Sequence, residues 1–89
     1  MSLIKIQTNI AISDSGFLFN PATGESFSVN PVGLEIIRLM REGKNETEIC
    51  AAVNNTYDAD PAIVERDLHD FIHMLRQHQL LDNNGGQNN

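Results

Sequence analysis

His69 and His73 stand four residues apart with Glu65 one turn earlier, so on a helix all three would share a face. Two imidazoles and a carboxylate at that spacing could hold a divalent metal. No third strong ligand stands beside the histidines, and Asp70 and Phe71 after His69 depart from the His-Glu-x-x-His pattern. The group reads as a solvated polar face. Cys50 is the sole thiol, and without a partner it cannot form an internal disulfide. Among Ile49, Ala51 and Ala52 it reads as a small packed residue and not as a nucleophile. The glycines at positions 16, 24, 33, 43, 85 and 86 form no phosphate-cradling pattern, and no Ser/His/Asp set is suggested. The chemistry on offer is recognition, not catalysis, and no cofactor is implied.

Recognition points to Ser26-Phe27-Ser28-Val29. Its alternation sends Phe27 and Val29 to one side and Ser26 and Ser28 to the other, as in a half-buried strand. Two runs precede it. Ile10–Ser13 is β-branched at alternate positions and breaks at Ser13-Asp14-Ser15-Gly16, while Phe17–Asn20 is apolar on both faces and ends at Asn20-Pro21-Ala22-Thr23-Gly24. A meander of three strands is too small to cover both of its edges. An open edge presents unpaired N–H and C=O groups that can accept a strand from another chain. The Ser26–Val29 run holds no Pro, no Lys and no inward charge that would block such pairing. Phe27→Pro is the natural test of that edge.

Three helices follow the strands. Asn30-Pro31 and Asp60-Pro61 each place a capping side chain before a proline at the first helical position. Asn45-Glu46-Thr47-Glu48 reads as a capping box with Asn in the usual Ser/Thr position. The predicted spans are Pro31–Glu42, closed by Gly43, then Glu46–Asn54 and Pro61–Gln79. Ile36, Ile37 and Met40 share one face of the first helix, widened by Val32, Leu34 and Leu39. Ile49, Ala52 and Val53 line the second, and Tyr57 is expected to anchor the loop after it. The third carries Val64, Leu68, Phe71, Ile72 and Leu75 at spacings of three and four, with Leu80-Leu81 docking beyond it. Residues 1–9 either extend the first strand or stay loose, 10–81 form the domain, and 82–89 are Asn/Gly/Gln-rich and read as disordered.

Composition narrows the partners. The 89 residues suit one domain with one modest core. No stretch approaches the roughly 20 apolar residues that span a bilayer, and the N-terminus lacks the pattern of a signal peptide. With a lone cysteine, these features favour a reducing, cytoplasmic setting. Net charge is −6, unevenly placed. Residues 1–44 set Lys5, Arg38, Arg41 and Lys44 against Asp14, Glu25, Glu35 and Glu42, a balance of zero. From residue 45 onward, eight acids face only Arg66 and Arg76. Such a surface repels nucleic acid and anionic membrane alike.

A hairpin ending in Val29-Asn30, a helix closed by Gly43, then Thr47-Glu48-Ile49, Tyr57, Val64, Asp67, Phe71, Leu75 and Leu80-Leu81 together resemble the PqqD-like family, also called the RiPP recognition element. The resemblance covers about residues 10–81. It implies an α+β, winged-helix-like domain in which a three-stranded antiparallel sheet is followed by three helices. It further implies a peptide chaperone without catalysis of its own. Such proteins bind the leader segment of a ribosomally made precursor and present it to a modifying enzyme, often a radical SAM protein, in cofactor or natural-product biosynthesis. The leader adds as a strand beside the third strand and against the third helix. On this chain that edge is Ser26, Phe27, Ser28 and Val29, and the helix wall is drawn from Val64, Asp67, Leu68 and Phe71.

Each of these has a plainer role. Val64, Leu68 and Phe71 fit core packing, although a groove floor is both buried and ligand-facing. Asp67 fits a solvated flank, a contact to Arg66 or Arg38, or a partner for a basic residue of the peptide. Two other whole-protein readings stay open. A winged-helix DNA-binding regulator would have to put Glu65, Asp67 and Asp70 into the major groove. A structural subunit would dimerise through the same strand edge and need no peptide.

Overall fold

Alternation along β2, Phe17–Asn20, decides which way the sheet faces. Leu18 and Asn20 are buried, whereas Phe17 and Phe19 are exposed. The run is therefore two-faced, not apolar on both buried sides, and the aromatic face looks outward. The computed structural model describes residues 5–82. It contains β1 (Ala11–Ile12), β2, β3 (Glu25–Ser28), α1 (Pro31–Arg41), α2 (Glu46–Tyr57) and α3 (Pro61–Gln77). This is the predicted α+β order, a three-stranded antiparallel sheet followed by three helices. The sheet runs β1-β2-β3, with Ala11 opposite Phe19 and Leu18 opposite Phe27.

Both hairpins rest on local chemistry. Ser13 donates its N–H to the Phe17 carbonyl at 2.8 Å and closes the first turn. Gly16 there has φ 96°, and a Cβ would lie 2.6 Å from the Val29 carbonyl oxygen, so glycine is demanded twice over. In the second hairpin the buried Asn20 accepts from Ala22 N–H at 2.9 Å, an Asx-type turn that satisfies its own side chain.

The caps form as the sequence predicts. Asn30 accepts from Gly33 N–H at 2.8 Å, and Asp60 accepts from Ala62 N–H at 2.9 Å. Asn45 and Glu48 bond each other's backbone N–H reciprocally, both at 2.8 Å. Helix α2 runs three residues past the predicted stop at Asn54, to Tyr57. It ends at Asp58 in the left-handed conformation, φ 51° and ψ 48°. Asparagine lowers helix propensity without breaking a helix, so Asn54-Asn55 did not end it. Tyr57 is exposed and lies within α2, so it does not anchor the following loop against the core.

Helix α1 packs on α2, and α2 on α3. The core gathers Leu18 from the sheet, Ile36, Ile37 and Met40 from α1, Ile49 and Val53 from α2, and Leu68, Ile72 and Leu75 from α3. Leu80 and Leu81 join it as expected, both buried. Residues 5–10, the described ones before β1, do not lengthen the sheet, and the expectation for residues 1–4 lies outside the described residues. Ile6 instead forms an antiparallel bridge with Leu81, and Gln7 donates to the Leu80 carbonyl at 2.9 Å. Asp82, first residue of the expected tail, donates its N–H to the Lys5 carbonyl at 2.7 Å. The expectation of disorder over 83–89 lies outside the described residues.

Candidate functional site

The ladder register fixes which backbone groups of β3 point outward. Val29 donates to the Gly16 carbonyl at 2.9 Å, just beyond the Phe17–Ser28 pair. Hydrogen-bonded and non-bonded pairs alternate in an antiparallel ladder. Leu18–Phe27 and Asn20–Glu25 therefore exchange the ladder bonds, and the N–H and C=O groups of Ser26 and Ser28 point away from β2. Among the described residues, β2 is the sole strand beside β3. No other described strand occupies the far side of β3, and Ser26 and Ser28 are exposed there.

This register corrects one expectation. Phe27 turns its N–H inward to β2, so Phe27→Pro would break the sheet and not merely its edge. Ser26 and Ser28 are the positions where proline would remove an outward donor.

Helix α3 flanks the rim. The Phe27 ring meets the imidazole of His78, at the end of α3, with centroids 4.5 Å apart and planes tilted by 58°. Farther along, Val29 and Phe71 both lie close beside Gly33. Where β3 passes into α1, a groove of about 510 Å³ opens between α1 and α3. Val32, Ile36, Phe71 and Met74 supply its apolar lining, with Asp67 and Asp70 also on its walls.

The sequence-derived residues divide between rim and core. Ser26 and Ser28 are exposed, and Phe27 and Val29 are half-buried beside the rim. Phe71 and Asp67 line the groove. Val64 and Leu68 are buried, 8% and 2% exposed, within the core and not among the groove's lining. Asp67 lies 3.5 Å from Arg66, an exposed pair, whereas Arg38 reaches Asp14 at 3.3 Å instead. Gly33, Asp70, Met74 and His78 were not singled out for the site. Met74, three residues after Phe71, continued the helical stripe and could have been found by that spacing.

The titratable cluster elsewhere does different work. His69 Nε2 lies 3.2 Å from Glu46 Oε1, which links α3 to α2. Cys50 lines a small cavity with Glu46 and Glu65. Burial pushes its thiol above the usual range, and Glu65 and Glu46 push it in the same direction. A raised pKa leaves less thiolate, the opposite of what a nucleophile needs. Among the described residues no group of three His, Cys, Asp or Glu side chains could hold a metal ion, and no helix is long and apolar enough to cross a membrane.

Solved structures share this architecture. TbiB1 in complex with the TbiA(beta) leader peptide is 36% identical and superposes with a TM-score of 0.80, over 89% of this chain and 95% of that one. Lasso peptide synthetase B1 complexed with its leader peptide is 17% identical, with a TM-score of 0.79 over 89% of this chain and 96% of that chain, and shows the fold alone. No curated protein matches. The family profile described as coenzyme PQQ synthesis protein D matches residues 16–81, from the second strand to the docked Leu81, and the chain belongs to this PqqD family.

Proposed function

We propose that this chain is a non-catalytic adaptor that captures the leader segment of a ribosomally made precursor peptide by β-strand addition and presents it to a modifying enzyme. The observation that carries this reading is the open β3 rim, with Ser26 and Ser28 directed outward beside the groove of α3. The leader peptide bound to TbiB1, a 36% identical relative, supports it.

The energetics are adequate. Ser26 and Ser28 each offer a donor and an acceptor, and such bonds contribute about 0.5–1.5 kcal/mol each. Two guest side chains buried in the groove add about 1.5–3 kcal/mol each. These sum to about 5–12 kcal/mol before the cost of association, so binding reaches the micromolar range only near the upper end of that sum. Once captured, the precursor sits at high effective concentration near the active site of the partner. A radical SAM protein or a cyclase would fill that partner role. The lone thiol of Cys50 supports a reducing, cytoplasmic setting.

The test is a calorimetric titration with the TbiA(beta) leader peptide and with the leader of any short precursor found encoded beside this chain's gene, followed by amide exchange. The expected result is saturable binding with slowed exchange at Ser26 and Ser28. Absence of saturation at millimolar peptide ends the adaptor reading. Light scattering with and without the peptide separates it from a dimerising subunit, since one rim cannot serve both partners.

A further inference from the structure

Gly33 lies inside α1, where alanine would favour the helix more. Its backbone is helical, so conformation does not call for glycine. Space does. A Cβ at this position would lie 3.1 Å from Phe71 Cε1, 3.2 Å from Phe71 Cζ and 3.1 Å from Val29 Cβ. Carbon atoms settle at about 3.5–4.0 Å, so an added methyl must displace a neighbour. Val29 Cβ is fixed to a backbone held by its 2.9 Å bond to Gly16. The Phe71 ring, by contrast, turns about its own side-chain bonds. It would move outward, into the groove it lines.

We infer that Gly33 is a specificity-determining residue of the peptide groove: its missing side chain lets Phe71 close on α1 and leaves room between α1 and α3 for a large apolar side chain of the guest. This rests on the adaptor reading. The space so preserved is bordered by Val32, Ile36 and Met74, with Asn30, Asp67 and Asp70 also on the groove's walls, which suits a side chain with a large aliphatic or aromatic body. Gly33 is thus a positioning residue that acts through Phe71.

The test is a double-mutant cycle, with a phage-displayed random peptide library as the probe. Clones are selected on the unmodified protein and measured on Gly33→Ala, Phe71→Leu and the double variant, with circular dichroism for each. Gly33→Ala is expected to keep the native spectrum and bind about tenfold more weakly, equivalent to about 1.4 kcal/mol. In the Phe71→Leu background the same change should cost less than about twofold, because the ring it displaces is gone. A fresh selection on Gly33→Ala should enrich smaller side chains at the groove position, a change that mere destabilisation would not produce. Equal penalties in both backgrounds, unchanged affinity or unchanged peptide preference would each overturn the role of Gly33. If nothing is enriched on the unmodified protein, the adaptor reading itself fails and takes this role with it.

Discussion

The two edges of the sheet are built differently. On one side β1 is only two residues long, and the carbonyl just before it, at Ile10, accepts from Arg41 Nη2 at 2.6 Å. The same guanidinium reaches the Gln7 carbonyl at 3.3 Å. On the other side β3 runs four residues, with serines at its outward backbone positions, and among the described residues no guanidinium bonds to them. Edge strands are normally protected by shortness, charge or a cover. Here the first edge is short and has its approach occupied, whereas the second has neither device. A protein that only needed to stay monomeric would guard both, and the contrast supports the proposal that β3 is the edge kept available.

Proline substitutions test that contrast most sharply. Phe27→Pro removes an inward ladder bond and is expected to cost about 1–3 kcal/mol for the orphaned Leu18 carbonyl, with the lost packing of the ring in addition, seen as a marked fall in the melt. Ser28→Pro removes an outward donor only. It should leave the melt within a few degrees while weakening leader binding about tenfold or more, the equivalent of one lost bond plus obstruction of the rim. If the two variants behave alike, the assignment of inward and outward groups is wrong.

Arg41→Ala probes the opposite edge. Bonds from a charged donor contribute about 1.5–3 kcal/mol, so chemical denaturation should show a loss near the lower end of that range. Leader affinity should not change. A parallel loss of affinity would show that the two edges are not independent.

The structure also shows what the sequence could and could not disclose. The caps at Asn30, Asn45 and Asp60 were legible because each is settled within three or four residues. So was the alternation that turns Phe27 toward the core. The groove was less legible. Val64, Leu68 and Phe71 look equivalent in a helical pattern, and only the placement of β3 and α1 decides that the first two are covered and the third stays half-open. Gly33 gave no local signal at all, because the groups that crowd it come from positions 29 and 71. The end of α2 was misplaced because Asn54-Asn55 is a weak discouragement, overridden by the turn at Asp58.

Smaller effects concern charge. With Asp67 and Asp70 on the groove walls, affinity for a leader bearing Lys or Arg should fall as salt rises from low to physiological. Asp67→Asn with Asp70→Asn should flatten that dependence and slow association about two- to fivefold in stopped flow, since rim charges act mainly on the on-rate. An unchanged salt slope would remove the electrostatic part of the recognition and leave the strand rim intact. Least of all should be the change at Cys50. Its raised pKa means less thiolate at neutral pH, so iodoacetamide should label it more slowly in the folded protein than in the unfolded chain. Labelling at equal rates would show the thiol to be unshielded.

The bridge between Ile6 and Leu81, with Asp82 bonded to Lys5, brings residues 5 and 82, the two ends of the described segment, to a common corner. A short linker between them could close the polypeptide into a ring, and fresh ends could then be opened at an exposed hairpin such as Pro21–Gly24. For the same reason the domain could be spliced into a surface loop of a host enzyme with little distortion of either.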